Sequence, residues 1–205
     1  MARRSVAASL KRARHEVYRR VVVDTAESVF ADRGFEQTKM QDVAARAGVS
    51  VGVLYEVFPG KDALLAAVHE DRGQELLQRA AEIVPMRGPL EVLLEGITMM
   101  VGFFEAHPAY LRLHLRDGIT WAHPELARGL DVETWNAAVG MLAAAFEEGR
   151  SNGTLVDDDP HASARLLLAI IQSCLTDWIL AKPRPEAATV IARLQGIVRR
   201  TFVPA

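Results

Sequence analysis

The sequence of 205 residues contains one cysteine, Cys174, and no long uncharged hydrophobic run. A single thiol excludes a disulfide framework and any metal site built from several thiolates. No uncharged stretch approaches the roughly 18–20 residues that a membrane span needs. The N-terminal segment lacks the apolar core of a secretory signal peptide. We therefore expect a cytoplasmic protein with no membrane partner, no metal site and no cofactor.

The formal net charge is only −2, but the charges are unevenly distributed. Residues 1–62 contain eleven Lys or Arg and eight Asp or Glu, whereas residues 63–205 contain thirteen and eighteen. Seven of the bases lie within the first twenty residues. This distribution is typical of a basic N-terminal part that meets a polyanion, and equally of a solvated basic arm.

Half of the residues are hydrophobic, which excludes global disorder, and strand signals are absent because no sustained alternation of apolar and polar residues occurs. Apolar residues instead recur at helical spacing between Gly and Pro breaks. The sequence thus predicts an all-α fold, with helices over residues 15–33, 39–47, 51–57, 61–84, 89–106, 110–117, 125–150, 160–182 and 186–202.

Residues 38–61 carry the most informative pattern, TKMQDVAARAGVSVGVLYEVFPGK. Two short helices meet at Gly48, where glycine can adopt the positive φ of a tight turn. Thr38 and Gln41 have the spacing of a capping box at the start of the first helix, and Ser50 can cap the second. This is the pattern of a helix-turn-helix, whose second helix lies in the major groove of DNA.

Four residues of this segment can bind anions. Thr38 and Ser50 lie at helix starts, Tyr55 has a hydroxyl on the second helix, and Lys61 begins the next helix. Each of them alone is explained by an ordinary role as a cap, a core aromatic or a solvated charge. Their occurrence within 24 residues instead favours contacts with DNA phosphates.

The segment of residues 15–68 resembles the TetR family of transcriptional regulators. The resemblance rests on VVDTAESVFADRGF at 22–35, on Thr38, on DVA at 42–44 and AGVS at 47–50, on LY at 54–55, on Phe58, and on KDAL at 61–64. It implies an all-α homodimer with a DNA-binding domain over residues 1–62 and a ligand-binding and dimerisation domain over 63–205. Dimerisation is expected through the helices 160–182 and 186–202.

The resemblance also implies which residues contact DNA. Thr38, Tyr55 and Lys61 match positions that hold phosphates, and Gln41 matches one that can reach a base edge. The full expected set is Thr38, Lys39, Gln41, Ser50, Val51, Gly52, Val53, Tyr55 and Lys61.

The second helix departs from the family pattern, since positions 51 and 53 are valines where polar residues are frequent, and Glu56 and Val57 replace residues that are often aromatic or His. An apolar surface of this kind can contact thymine methyl groups but offers few hydrogen bonds. We therefore expect Gln41, the basic arm and DNA shape to supply an unusual share of the specificity. A DNA-facing Glu56 would be mildly repulsive.

Bulky residues between positions 86 and 182 suit an adaptable apolar pocket, although a plain helical core would use the same residues. The histidines of this half lack the i, i+4 spacing of a helical zinc site, so no metal is expected. The expected ligand-binding set is Met99, Phe103, Phe104, Tyr110, His114, Trp121, Trp135 and Trp178.

The resemblance implies a repressor that binds a palindromic operator on double-stranded DNA and is released by a small, largely apolar effector. Binding of the effector would shift the helix 61–84 and move the DNA-binding domains of the two protomers apart. The alternative is a DNA-binding protein of the same type without a small effector, controlled by a protein partner. An α-helical interaction module is a further alternative. An enzyme is not expected, because the motifs of hydrolases, zinc proteases and phosphate-binding loops are missing.

Overall fold

The computed structural model describes residues 2–83, 88–126 and 132–204, and for residues 2–15 and 124 only the backbone. Over these ranges the fold is helical and contains no strand, as predicted. The helices are α1 (Ala2–Arg33), α2 (Met40–Ala47), α3 (Val51–Val57), α4 (Lys61–Ile83), α5 (Pro89–Ala106), α6 (Pro108–Arg116), α7 (Val132–Ser151), α8 (Pro160–Leu180) and α9 (Ala187–Phe202).

The N-terminal head packs the second half of α1 against α2 and α3. Val22, Ala26 and Phe30 recur at a spacing of four on α1 and are fully buried. Gly48 ends α2 at φ 68°, the left-handed conformation that the sequence predicts, and its amide bonds back into the last turn. Ser50 caps α3, with its Oγ accepting a hydrogen bond from the amide of Val53 at 3.2 Å. The helix-turn-helix is therefore formed by local signals and closed by a small apolar core.

Two predictions about the head are wrong in detail. Helix α1 begins at Ala2 and not near residue 15, so the basic arm continues the helix; the side chains of Arg3, Arg4, Lys11, Arg12 and Arg14 lie outside the described part. The capping box of Thr38 and Gln41 is not formed. The carboxylate of Asp42 accepts from the amide of Lys39 at 2.9 Å instead, because a short carboxylate at this position reaches the helix start directly. Gln41 remains exposed.

Helix α4 belongs to both halves of the molecule. Leu64, Leu65 and Val68, near its N-terminal end, are buried in the hydrophobic core. Its second half faces α5 and α7. Because one continuous helix joins the two halves, the predicted boundary at residues 62 and 63 stays a prediction.

The C-terminal body consists of α5 to α9 around an aromatic core in which Phe104 stacks on Trp121, with ring centroids 5.0 Å apart. The helix predicted over 125–150 begins later, at Val132. Pro124–Leu126 forms a 3₁₀ turn instead, in which the amide of Leu126 bonds to the carbonyl of His123. Residues 127–131 of the predicted helix lie outside the described part.

Helix α8 is long and apolar enough to cross a membrane by length and composition alone, with a mean hydropathy of 1.3 over its 18-residue window. The core helix of a helical bundle passes the same test. Here 44% of that window is buried inside the protein, and α8 packs against α7 and α9. The packing explains the apolar composition of α8 by its place in the bundle.

We expect Gly149→Ala to destabilise the protein by about 1–3 kcal/mol, because a Cβ there would lie 2.9 Å from the Cβ of buried Leu155 and closer to the rest of its side chain. Gly140→Ala on the same helix is the matched control, since a Cβ at Gly140 meets nothing within 4 Å. The control should stabilise by roughly 0.5–1 kcal/mol. Urea unfolding measures both, and equal effects would contradict the packing described.

Candidate DNA-binding face and effector cavity

The outer face of the helix-turn-helix exposes part of the predicted DNA-binding set. Tyr55 is 48% exposed on α3, and Gln41, Ser50 and Gly52 are exposed around it. Lys39 is exposed at the start of α2. The fold thus leaves one amide, two hydroxyls and one ammonium group exposed on α2, α3 and the residues that precede them, where backbone amides of two helix starts also lie.

Thr38 and Lys61 are turned toward the protein. The Thr38 hydroxyl, 2% exposed, donates to the carbonyl of Gly34 at 2.8 Å. The Lys61 ammonium donates to the carbonyl of Phe35 at 2.7 Å and lies 4.3 Å from the centre of the Phe35 ring. An ammonium group has three N–H donors, and Lys61 uses a second one at the carbonyl of Glu36 at 3.4 Å, so one remains for a phosphate. Thr38 has already used its one hydroxyl donor. The phosphate contacts of both residues stay predictions.

Val51 and Val53 are half-buried, while Glu56 is exposed one residue after Tyr55. The start of α3 therefore offers mainly the bare backbone of Gly52, where an added Cβ would meet only the Ser50 Oγ, at 3.8 Å. A glycine on an exposed helix face permits close approach of another backbone. This geometry is better suited to recognising the shape of DNA than to forming hydrogen bonds with bases.

Ion pairs reduce the negative charge at the edge of this face. Arg33 lies 2.9 Å from Asp42, and Arg46 lies 3.7 Å from Asp32. The pKa of Asp42 is lowered, first by the hydrogen bond from the Lys39 amide and then by Arg33. A carboxylate neutralised in this way repels phosphate less than a free one.

An apolar cavity of about 110 Å³ lies in the body among α4, α5, α6, α7 and α8. Its polar lining residues are His69, Tyr110 and Thr134, and its other described lining residues are apolar or glycine. No charged side chain is among the described residues that line it. Such a cavity is suited to an apolar molecule with few polar groups.

Three residues of the predicted ligand-binding set line the cavity: Met99, Tyr110 and Trp135. Phe103, Phe104, His114, Trp121 and Trp178 are not among its described lining residues and are all buried elsewhere. The ligand-binding role of all eight residues stays a prediction, because bulky apolar residues serve a core and a pocket equally.

The three tryptophans of the predicted ligand-binding set donate hydrogen bonds within the protein. Trp121 donates from Nε1 to Nδ1 of His114 at 2.8 Å, and Trp135 donates to the carbonyl of Trp121 at 3.1 Å. Trp178 donates to the carbonyl of Pro185 at 2.8 Å, with the Arg184 guanidinium 3.8 Å from its ring centre. These bonds fix the wall of the cavity and the connection from α8 to α9.

The sequence reasoning missed the face of α4 that lines the cavity. His69 and Gly73 stand four residues apart in the stripe that starts at Leu65 and continues to Leu77. A Cβ on Gly73 would come within 3.3 Å of Thr134, so the glycine leaves room between α4 and α7. A histidine and a glycine inside an apolar helical stripe are the signal that the sequence offered for this face.

His69 is 1% exposed, and its Nδ1 lies 3.2 Å from the hydroxyl of Tyr110. Burial lowers the pKa of His69 to about 4 and raises that of Tyr110. Burial also lowers the pKa of His114, and the neighbouring His69 lowers it further. All three groups are therefore neutral at physiological pH.

The buried histidines make the protein sensitive to mild acid. The unfolded chain takes up the proton of His69 near pH 6.5, whereas the folded protein takes it up only near pH 4. Stability from this group is therefore full above pH 6.5 and lost as the pH falls toward 4. We expect His69 to account for about 2 kcal/mol of lost unfolding free energy between pH 7.5 and pH 5.

Urea unfolding at the two pH values measures this loss, which His69→Asn should reduce. Exposed His161→Asn on α8 is the control and should leave the loss unchanged. An equal loss in wild type and His69→Asn would contradict the assignment to His69.

Ion pairs connect α4 to α1. Arg72 lies 2.6 Å from Glu27, which is 5% exposed, and 2.9 Å from Asp24. Arg19 makes a bidentate pair with Asp71, with distances of 3.0 and 3.2 Å. The helix that lines the cavity is thereby held to the helix that carries the head.

Helix α6 makes a second connection. Tyr110 on α6 lines the cavity, and Arg116 at its end donates to the carbonyls of Ala31 and Asp32 in the last turn of α1. A cation at a helix C-terminus also interacts favourably with the helix dipole. Two helices that form the cavity wall thus contact the DNA-binding head directly.

Residues 22–68, which build this head, match the family model described as bacterial regulatory proteins, tetR family. The head is therefore a DNA-binding domain of the TetR family. The relatives of the chain are named as transcriptional regulators, which identifies it as a DNA-binding transcription regulator and not as an enzyme.

Two curated relatives and one solved structure show how far the similarity in sequence and fold extends. The chain is 27% identical over 154 residues to the A-factor receptor protein of Streptomyces griseus, covering 73% of this chain and 51% of the receptor. It is 27% identical over 177 residues to the transcriptional repressor KstR of Rhodococcus jostii strain RHA1, covering 86% and 79%. The fold is similar to that of AibR in complex with isovaleryl coenzyme A and operator DNA, with a TM-score of 0.72 and 19% identity over 88% and 97% of the chains. The chain thus spans about half the length of the first relative.

Proposed function

We propose that this TetR-family protein is a cytoplasmic homodimeric repressor. It binds a palindromic operator and is released by a small, largely apolar effector held in the cavity of its body. The observation that carries the proposal is the double use of α4, since this helix both lines the cavity and is ion-paired to α1. A change in cavity shape that moves α4 must therefore strain or move the head.

The head supplies the DNA contacts in this proposal. Tyr55 donates its exposed hydroxyl to a phosphate, the ammonium groups of Lys39 and Lys61 add charge, and Gln41 reaches a base edge. The half-buried valines of α3 contact thymine methyl groups. Specificity then depends on Gln41, on the basic N-terminal part of α1 and on the shape of the DNA.

The second copy is proposed to pair through α8 and α9, over the predicted ranges 160–182 and 186–202. Leu166 and Leu180 on α8 are 48% and 68% exposed, which is unusual for leucines on a core helix. A symmetric pair of protomers buries such side chains at its interface and sets the distance between the two copies of α3. DNA requires these helices to lie about 34–36 Å apart.

Control by an effector is then a coupling between two sites. An effector that favours a wider separation of the heads lowers operator affinity by its differential binding to the two states, typically 1–3 kcal/mol. AibR is named in complex with both isovaleryl coenzyme A and operator DNA, which supports this two-site arrangement in a protein of the same fold. The cavity favours an effector over control by a protein partner.

Selection of bound genomic fragments by the purified protein tests the proposal. We expect a two-fold symmetric sequence bound by two protomers, with the mass of the complex measured by light scattering. Compounds related to the genes beside the selected sites are then tested for release of the DNA. Absence of sequence-selective DNA binding would overturn the proposal.

We expect Gly52→Ala to separate folding from DNA binding. The added Cβ meets only the Ser50 Oγ at 3.8 Å, and alanine favours a helix over glycine by about 1 kcal/mol, so the fold is stabilised. The same methyl group occupies the place where DNA approaches, so operator affinity should fall by about tenfold or more, equivalent to about 1.4 kcal/mol.

Gly102→Ala on α5 is the matched control, since Gly102 is exposed and a Cβ there meets nothing within 4 Å. It should stabilise similarly and leave DNA binding unchanged. Fluorescence anisotropy of a labelled operator and urea unfolding give the two quantities. Unchanged affinity in Gly52→Ala would place the start of α3 away from the DNA.

A further inference from the structure

The wall of the cavity contains a buried nitrogen without a partner. His69 lines the cavity, and its Nδ1 is paired with the Tyr110 hydroxyl at 3.2 Å. Its Nε2 is buried and has no hydrogen-bond partner among the described residues. Buried polar atoms of this kind are rare in folded proteins, and each needs an explanation.

The hydrogen bond with Tyr110 decides which ring nitrogen of His69 carries the hydrogen. If the tyrosine donates to Nδ1, the neutral ring carries its hydrogen on Nε2, and one donor is left unpaired. If Nδ1 donates instead, both the tyrosine hydrogen and the Nε2 lone pair are left unpaired. The first arrangement leaves fewer orphaned groups, and a phenol is a good donor to an imidazole nitrogen. Nε2 of His69 is therefore an N–H donor.

The other unpaired nitrogen, Nε2 of His114, is placed differently. His114 accepts at Nδ1 from Trp121 and is not among the described residues that line the cavity. Its ring centre lies 5.6 Å from that of His69, behind the cavity wall. Only His69 combines an unpaired donor with a place in the lining.

The charge of the lining limits what the donor can meet. No Lys or Arg is among the described lining residues, and burial keeps the two histidines neutral. An anionic group in such a place loses its hydration without a counter-ion, which costs several kcal/mol. A neutral oxygen acceptor costs much less to bury and satisfies the donor.

We propose that the effector is an uncharged, mainly apolar molecule with a carbonyl oxygen that accepts a hydrogen bond from Nε2–H of His69. This inference rests on the proposed effector-controlled function and adds the chemical class of the effector. His69 sits on the helix that Arg72 ties to α1 by an ion pair, so the recognised oxygen lies next to the element that moves the head. Tyr110 orients the imidazole by holding Nδ1.

The size of the cavity defines the probes. An engineered cavity of about 150 Å³ holds one benzene molecule, so about 110 Å³ suits a short chain or one end of a longer molecule. Three probes of equal heavy-atom number differ only at the end group: 2-heptanone, 2-methyl-1-heptene and hexanoate. The alkene replaces the carbonyl oxygen by a methylene group, and the acid replaces the methyl group by a charged oxygen.

Calorimetric titration of the full-length protein with the three probes at pH 7.5 tests the proposal without DNA. We expect 2-heptanone to bind about tenfold more tightly than the alkene, the value of one hydrogen bond to an otherwise unpaired donor. Hexanoate should bind more weakly than the ketone. Tryptophan fluorescence gives a second reading, because Trp135 lines the cavity.

Variants of His69 test whether its Nε2 causes the preference for the ketone over the alkene. His69→Leu should remove the preference for the ketone over the alkene while keeping alkene binding. His69→Gln keeps an N–H donor near the place of Nε2 and an acceptor for Tyr110, and should restore part of the preference. His161→Leu, at an exposed position, is the control and should change nothing.

Equal affinities for ketone and alkene in the wild type, tighter binding of hexanoate, or no binding of any probe would each overturn the inference. Retention of the ketone preference in a folded His69→Leu variant would overturn it as well. DNA binding is measured separately. A protein that prefers the ketone but binds no operator refutes the proposed function alone, and an operator-binding protein without the preference refutes this inference alone.

Discussion

We expect that raising the salt concentration from 50 to 200 mM lowers the affinity of the proposed dimer for its operator by about 10³- to 10⁵-fold. Three or four phosphate contacts per subunit, together with the basic N-terminal part of α1, give roughly six to ten contacts per dimer. Each contact releases counterions, so the log–log slope is about −5 to −9. The exposed positions of Tyr55 and Lys39 and the remaining N–H donor of Lys61 support this number.

Operator binding followed by fluorescence anisotropy over a salt series measures the slope. Lys39→Gln should reduce its magnitude by about 0.9 per subunit. Arg112→Gln is the control, since Arg112 is exposed on α6 in the body. A slope near zero would remove the DNA-binding interpretation of the head.

Replacing Arg72 by methionine should destabilise the protein by about 3–5 kcal/mol, because it leaves the carboxylate of Glu27 buried without a counter-ion. Glu27 is 5% exposed and lies 2.6 Å from Arg72. Burial opposes the charge of Arg72, but the Glu27 and Asp24 carboxylates outweigh it and raise the pKa of the guanidinium. The stability contributed by Arg72 therefore depends on its carboxylate partners.

Urea unfolding of Arg72→Met and of the double variant Arg72→Met, Glu27→Gln tests the dependence. The double variant should recover much of the loss, because a neutral amide costs less to bury than a carboxylate. Arg150→Met removes an exposed pair with Glu147 and should change stability little. Equal effects at Arg72 and Arg150 would show that the contact between α4 and α1 is solvated and carries little energy.

The local parts of the fold could be predicted because their signals lie within a few residues. The αL turn at Gly48, the cap of Ser50 and the apolar face of α2 each follow from near neighbours in the sequence. The errors concern choices between neighbours, such as Asp42 in place of Gln41 at the start of α2. Such choices depend on side-chain reach, which periodicity does not measure.

The candidate sites were predicted unequally. The exposed positions of Gln41, Gly52 and Tyr55 agree with a reading surface, since helix spacing determines which residues face outward. The inward turn of Lys61 could not be predicted, because its partner, the carbonyl of Phe35, lies 26 residues away. In the body, large apolar residues gave no means of separating the cavity lining from the core.

The sequence by itself determined an all-helical chain with a helix-turn-helix head and a basic N-terminus, because periodicity, caps and turn residues are local properties. Only the tertiary structure decided that His69 lines a cavity with one unpaired nitrogen and that Arg72 holds α4 to α1. Both facts arise where helices distant in the sequence pack together. The energy of a buried donor or charge is set by those distant neighbours, so no single helix contains the information.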